Sequence, residues 1–192
     1  MRNTEDKVEY GIKGEVVDSI LDTVLNIGGK DVKLKAGEEY KIPKSENLVL
    51  RSATEIISSL LKGGSNFYEN TWWEVGSGSD NWDDSNLPSP TLSDKGLLKP
   101  TFRKKIQKED IKFLDSEGKY VENVTNKIEM TSVFGLNEAN GYLREFSIYF
   151  GGDKTLSSGL PFNRKIHGVI YKTESIELKR KIHFTVNLST VK

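Results

Sequence analysis

Residues 176–188, IELKRKIHFTVNL, decide the fold, because apolar and polar side chains alternate along the stretch. Only Arg180 interrupts the apolar set. Successive side chains of a strand point to opposite faces of a sheet, so a period of two indicates an antiparallel strand with one buried face and one solvated face. The apolar face consists of Ile176, Leu178, Ile182, Phe184, Val186 and Leu188.

The same period of two recurs upstream, in residues 127–134 and 142–150. Stretches rich in Gly, Asn, Asp and Ser separate these segments, for example at 115–118 and 137–141. Such residues form the tight turns that join antiparallel strands. The sequence therefore predicts a mainly β chain, with an antiparallel β-sandwich-like domain over residues 51–192.

One capped α-helix is predicted at residues 52–62, packed beside the sheet. Ser52 precedes Glu55 by three residues, which is the spacing of a capping box, in which both side chains accept free backbone N–H groups at the helix start. Gly63 and Gly64 can adopt the left-handed conformation that ends a helix. The predicted apolar face of this helix is Ile56, Ile57, Leu60 and Leu61.

Residues 1–50 differ from the rest of the chain, and we expect them to form a separate α/β attachment segment. Apolar residues in the range 16–25 recur at spacings of three and four, which favours a helix ended by the glycines at 28–29. The β-branched side chains in that range favour a strand instead, and the helix is the preferred interpretation. Residues 32–42 alternate around a turn at 36–38, which predicts a short hairpin.

Composition narrows the possible functions. The chain has 192 residues, with 28 basic and 28 acidic side chains, two His and no Cys. A chain without Cys has no thiolate zinc site, iron–sulfur cluster or disulfide scaffold. A net charge of zero provides no global positive field, so no nucleic-acid partner is expected. No apolar run approaches about 20 residues, so neither a membrane span nor a membrane partner is expected.

The residues that could carry chemistry form no recognisable catalytic motif. His167 and His183 are accompanied by no nucleophile elbow of the G-x-S-x-G kind. Asp80, Asp83 and Asp84 lie in a Gly/Ser/Pro-rich stretch, predicted to be an exposed loop, and lack the spacing of a calcium loop. We therefore expect no enzyme, with no catalytic, metal or cofactor site.

Three tryptophans are candidates for recognition. Trp72 and Trp73 are adjacent, and Trp82 lies in the predicted loop that follows them. Such residues pack in a core or a subunit interface, or provide a stacking platform for a sugar. The first interpretation predicts interface residues, and the second predicts a carbohydrate-binding β-sandwich module for a host-surface glycan.

A family resemblance covers residues 53–188. It is carried by WWEVGSG at 72–78, EANGYLREFSIYFGG at 138–152, NRKIH at 163–167 and a Lys–Thr pair before the last strand. This pattern resembles tailed-phage structural proteins of the tail-fibre, collar or baseplate type. The chain departs from the family pattern at Ser77, Ser147 and Tyr149, which replace a Thr, a Gly and a Leu-like residue.

The resemblance implies a non-enzymatic virion component, assembled in the host cytoplasm as a homo-oligomer and bound to other tail proteins. Arg144 and Glu145 point to opposite faces of their strand. Arg144 is expected to pair with a carboxylate on a neighbouring strand, and Glu145 to face a partner subunit; alternatively both are ions that stabilise the fold. The interface candidates are Trp72, Trp73, Trp82, Arg144, Glu145 and His167.

Overall fold

The computed structural model describes residues 8–21, 24–27, 30–33, 39–41, 45–63 and 69–190, with side chains from 47 to 63 and from 69 to 186. It is mainly β and antiparallel, as predicted. The elements are β1 (Val8–Leu21), β2 (Val24–Ile27), β3 (Lys30–Lys33), β4 (Glu39–Lys41), β5 (Ser45–Val49), α1 (Ser52–Leu61), β6 (Thr71–Gly76), β7 (Pro100–Lys105), a 3-10 turn (Lys108–Asp110), β8 (Ile111–Leu114), β9 (Tyr120–Val121), β10 (Lys127–Phe134), β11 (Gly141–Phe150), β12 (Leu160–Pro161), β13 (Asn163–Lys172) and β14 (Glu177–Thr190).

Most of these strands form one continuous ladder, in the order β7-β6-β11-β13-β5-β1-β14-β10-β8-β9. β5 connects its two halves, because residues 48–49 pair with β13 while residues 45–47 pair with β1. Aromatic side chains from the two halves meet between them. Phe162, which immediately precedes β13, packs edge-on against Phe184 of β14 with ring centroids 4.8 Å apart. Phe102 of β7 packs edge-on against Phe134 of β10 with ring centroids 6.1 Å apart. The two halves therefore enclose one core, which is the β-sandwich-like arrangement that was predicted.

The N-terminal segment contains strands where a helix was preferred. Residues 8–21 form β1, which pairs with residues 177–190 of β14 along its whole length. The predicted hairpin is also misplaced, because β2 pairs with β3 while β4 pairs with β1. The β-branched side chains in this range favour a strand, and pairing with β14 along the whole of β1 outweighs a local spacing of three and four. The proposed turn at 36–38 lies outside the described residues, and the boundary at residue 50 stays a prediction.

The helix is confirmed, but the capping box is wrong. Arg51 occupies the N-cap position and makes no side-chain cap, while Ser52 is already helical and its hydroxyl donates to the carbonyl of Pro161. This bond ties the start of α1 to β12 instead of to its own first turn. The helix ends as predicted, with Gly63 in the left-handed region at φ +89°.

Only part of the predicted apolar face of α1 is buried. Ala53 and Ile56 join the core, whereas Ile57, Leu60 and Leu61 are exposed. Within the described residues, no helix has the length and apolarity needed to cross a bilayer.

β11 is buried on both faces, which corrects the expectation of one wet face. Every side chain from Leu143 to Tyr149 is buried. Phe146 and Ile148 point into the core, while Glu145, Ser147 and Tyr149 alternate with them on the outer face. Segments 77–99 and 151–159 lie over that outer face and exclude water from it, so its polar side chains must find partners inside the protein.

Candidate functional site

The outer face of β6, β7, β11 and β13, together with Asp94 of segment 77–99, carries a set of buried and half-buried polar side chains. We call it the outer network: Glu74, Asp94, Arg103, Glu145, Tyr149 and Arg164. Cross-strand register brings them together, because Glu74 lies opposite Arg103 and Gly76 lies opposite Glu145. Gly76 provides room for the carboxylate, since a Cβ there would lie 3.0 Å from Glu145 Oε1 and 2.6 Å from the Lys99 carbonyl.

Glu145 is the centre of one half of the outer network. Its carboxylate is 0% exposed, and Oε2 accepts hydrogen bonds from Arg164 Nη2 at 2.7 Å and Nε at 3.2 Å. Its other oxygen, Oε1, accepts the backbone N–H of Lys99 at 2.9 Å, and Arg164 Nη1 also reaches Asp94 at 2.8 Å. Burial lowers the pKa of Arg164, but hydrogen bonds to Glu145 and Asp94 outweigh it and raise that pKa. These bonds fasten segment 77–99 to the sheet.

Glu74 and Arg103 form the other half. Glu74 Oε2 accepts Arg103 Nη1 at 3.0 Å and the Ser157 N–H at 2.7 Å, and Arg103 Nη2 donates to the Ser158 carbonyl at 2.5 Å. Burial and the charge of Glu74 raise the pKa of Tyr149 to about 12. The phenol oxygen of Tyr149 accepts the Leu97 N–H at 3.3 Å. This half therefore fastens segment 151–159, and also the end of segment 77–99.

Arg144 fastens the loop from a third position. Its guanidinium donates to the carbonyls of Ser79 at 2.8 Å and Trp82 at 2.7 Å, and it pairs with the Asp84 carboxylate. Asp84 lies in the loop, so the expected partner on a neighbouring strand is wrong. Glu145 is enclosed within this chain, so the expectation that it faces a partner subunit is also wrong. The alternative, that both are ions that stabilise the fold, agrees with these contacts.

Lys172 is a buried residue that sequence reasoning placed only in a turn. Its side chain is 1% exposed, and Nζ donates to the Gly135 carbonyl at 2.7 Å and to Asn140 Oδ1 at 2.8 Å. Burial lowers its pKa. The ammonium group holds the turn at 135–140, in which Ala139 has φ +54°. The signal in the sequence was the Lys–Thr pair that forms part of the resemblance. The groups that Lys172 contacts lie far from it in the sequence.

The three tryptophans do not form a common platform. Trp73 is fully buried in the core, 5.5 Å from Phe146. Trp72 points to the opposite face of β6, where the guanidinium of Arg103 lies 5.0 Å from its ring. Trp82 is half-buried and has the guanidinium of Arg144 at 5.6 Å. The adjacent tryptophans are therefore split between the core and the opposite face of β6, beside the outer network.

His167 contacts core residues and is only half-buried. Its Nδ1 lies 2.7 Å from the Gly168 carbonyl, its Nε2 lies 3.0 Å from Arg180 Nη2, and its ring lies 6.0 Å from that of Phe146. Arg180 can only donate, so we assign the neutral tautomer, in which Nδ1 carries the proton and Nε2 accepts. Burial, and then the charge of Arg180, hold the pKa of His167 well below its usual range.

Acid should therefore destabilise the protein through His167. Below pH 6.5, the ordinary pKa of His, the His167 imidazole is protonated in the unfolded chain and stays neutral in the folded chain. The free energy of unfolding therefore falls as the pH falls. We expect a loss of about 1 kcal/mol between pH 6.5 and 5.5, because the unfolded imidazole is only half protonated at pH 6.5. Urea unfolding across that range measures the slope, and His167→Gln should flatten it. An equally steep slope in His167→Gln would contradict the assignment.

A second polar cluster lies on the opposite half of the sandwich, around Glu129 of β10. Its carboxylate accepts His183 Nε2 at 2.7 Å and the Tyr120 hydroxyl at 2.8 Å, and pairs with Lys181 at 3.2 Å. Burial raises its pKa, but these three partners together lower it to about 2. The imidazole of His183 is bonded to a single carboxylate, an arrangement that is also common between neighbouring strands with no catalytic role.

The low pKa of Glu129 predicts a second acid transition. Its contribution to stability is complete above pH 4.5 and is lost as the pH falls from there towards 2. The shift corresponds to about 3 kcal/mol. Glu129→Gln should therefore be less stable at pH 6 but show a smaller further loss between pH 4.5 and 2.5, measured by urea unfolding. Glu122→Gln is the matched control at an exposed position, and it should behave as the wild type does.

The charged groups of these clusters form most of their hydrogen bonds within the chain, although Arg103 Nε and Arg144 Nε are buried without a partner among the described residues. Among the described residues, no group of three or more His, Asp or Glu side chains is arranged to hold a metal ion. No protein-family model matches this chain, and a search of curated proteins found no match. The interpretation of function therefore depends on the residues that carry the resemblance and on their geometry.

Proposed function

We propose that this chain is a structural component of the tail of a tailed phage or a phage-like particle, of the tail-fibre, collar or baseplate type. It acts as an assembly or adaptor protein through protein–protein contacts, both with copies of itself and with other tail proteins. The observation that carries this proposal is the resemblance over residues 53–188, above all the stretch EANGYLREFSIYFGG at 138–152.

The contacts of the resembling residues support a scaffold role. Arg144, Glu145, Arg164 and Lys172 all fasten surface segments to the sheet through buried hydrogen bonds. A surface that is already ordered loses less conformational entropy when a partner docks on it. Such an arrangement suits a protein whose function is to present a rigid surface.

The carbohydrate-binding alternative has less support. A stacking platform needs an accessible aromatic face, and Trp73 has none. Guanidinium groups lie over Trp72 and Trp82. Tryptophan fluorescence titration with cell-wall sugars tests this alternative. A saturable change that is lost in Trp82→Ala would favour it over the tail-protein proposal.

Immunogold electron microscopy tests the proposed function. Particles are purified from an induced culture of the source and labelled with an antibody to this protein. Label at a fixed place on the tail is the expected result, and its position distinguishes collar, baseplate and fibre. Unlabelled particles from a culture that makes the protein would contradict a location in the virion.

A further inference from the structure

The turn at 135–140 ends on a side chain that has the chemistry for spontaneous deamidation. Asn140 is exposed, and it is the one asparagine in the sequence that a glycine follows. Deamidation begins when the backbone nitrogen of the next residue attacks the side-chain carbonyl carbon, Cγ. A glycine in that position places no Cβ in the path of the attack. The pair Asn140–Gly141 is therefore the asparagine site of this chain at which the reaction is least hindered.

Gly141 begins β11 in a conformation that favours glycine. Its φ is +119°, in the range that L side chains rarely adopt. A Cβ at this position would meet no atom within 4 Å in the described part of the chain. The site is thus open to water, which the second step of deamidation consumes.

Lys172 polarises the carboxamide of Asn140. Its Nζ lies 2.8 Å from Oδ1, while Nδ2 donates to the Leu136 carbonyl at 2.9 Å. Attack at Cγ moves negative charge onto Oδ1, and a donor held in place beforehand stabilises such charge best. The Lys172 side chain is 1% exposed and also donates to the Gly135 carbonyl at 2.7 Å. The ammonium group is therefore fixed beside Oδ1 before the reaction begins.

We propose that Asn140 is a site of spontaneous deamidation, promoted by the ammonium group of Lys172. The Gly141 nitrogen gives its proton to water and forms a bond to Cγ of Asn140. The Cγ–Nδ2 bond then breaks, and Nδ2 takes up a proton and leaves as ammonia, so that a cyclic succinimide remains. Water adds to one of the two succinimide carbonyl groups and opens the ring, which gives aspartate or isoaspartate.

Lys172 itself is a weaker candidate for the attacking group. Attack by Nζ on Cγ would also release ammonia, and it would join the two side chains by an amide bond. Nζ is held as a hydrogen-bond donor to two close oxygens, however, and an ammonium group has no electron pair with which to attack. The modification therefore places a carboxylate beside Lys172, or, as isoaspartate, lengthens the main chain where β11 begins.

Peptide mass spectrometry of the full-length protein, incubated in neutral buffer, tests this inference. We expect aspartate and isoaspartate at Asn140, while Asn137, which is exposed in the same turn and precedes Glu138, stays unchanged. The native protein should react about tenfold faster than the same protein in urea, where Lys172 is not held at Oδ1. An unmodified Asn140, a native rate no faster than the rate in urea, or a peptide cross-linked between residues 140 and 172 would overturn the inference.

Variants separate the effect of the charge from the order of the turn. Lys172→Met should deamidate about tenfold more slowly than the wild type, although its turn is less firmly held. Lys154→Met, at an exposed position, is the matched control and should react at the wild-type rate. Circular dichroism checks that both variants are folded. A Lys172→Met protein that reacts as fast as the wild type, or faster, would refute the promotion by Lys172.

Discussion

Replacing Glu145 by Ala is expected to lower the free energy of unfolding by about 3–5 kcal/mol, as removal of one partner from a buried ion pair does. The carboxylate is fully buried, and its loss would leave Arg164 with Asp94 as its remaining acidic partner and the Lys99 N–H without its acceptor. Urea unfolding followed by circular dichroism measures the change. Limited proteolysis should also cut segment 77–99 sooner, because two of its attachments depend on this carboxylate.

The control is Glu117→Ala, which removes an exposed pair with Lys119. Exposed pairs contribute about 0–1 kcal/mol, so this variant should unfold almost as the wild type does. Glu145→Gln retains an acceptor for Lys99 and should lose less stability than Glu145→Ala. If Glu145→Ala were as stable as Glu117→Ala, then Glu145 would not be the centre of the outer network.

Lys172→Met is expected to cost about 1–3 kcal/mol of unfolding free energy. The methionine fills a similar volume but leaves the half-buried Gly135 carbonyl without its donor, and an unpaired buried group costs about 1–3 kcal/mol, whereas the exposed Asn140 side chain can bond to water instead. The turn at 135–140 should then loosen. Amide hydrogen exchange of that turn, together with urea unfolding, measures the effect.

Lys154→Met, at an exposed position in segment 151–159, is the control for loss of a lysine charge and should be neutral. Asn140→Ala removes one of the two short bonds to Lys172 at an exposed side chain and should lose less stability than Lys172→Met. A Lys172→Met protein as stable as the control would mean that the cost of burying the ammonium group cancels its hydrogen bonds.

Both predictions bear on how the resemblance is interpreted. The stretch 138–152 and the residues that follow it fasten loops inside one chain, so their pattern reports how this fold is stabilised.

Some of the candidate site could be predicted from local pattern. Alternation located β10, β11 and β14, and the turn residues placed the breaks between them, because a strand's faces follow directly from a period of two. The adjacent tryptophans were expected to pack in a core or a subunit interface, and Trp73 does enter the core. Simple alternation was expected to place Arg144 and Glu145 on opposite faces of β11, but the register shifts between Leu143 and Glu145, and both side chains bond to segment 77–99.

The partners could not be predicted because they are distant in sequence. Arg164 lies 19 residues from Glu145, and Asp94 lies 70 residues from Arg164. Alternation identifies the two faces of a strand but not its neighbours, and it carries no information on what covers the outer face. The alternation of β11 therefore predicted one solvated face, although segments 77–99 and 151–159 cover that face.

The sequence by itself determined the mainly β class, the helix at 52–61 and the turn at Gly63, since these depend on side-chain period and on backbone freedom over a few residues. Only the tertiary structure decided the state of the N-terminal segment and the role of the buried charges. Residues 8–21 form a strand because β14 offers them a full-length partner. A charge can be buried only where other parts of the chain bring a counter-charge or hydrogen-bond partners to it.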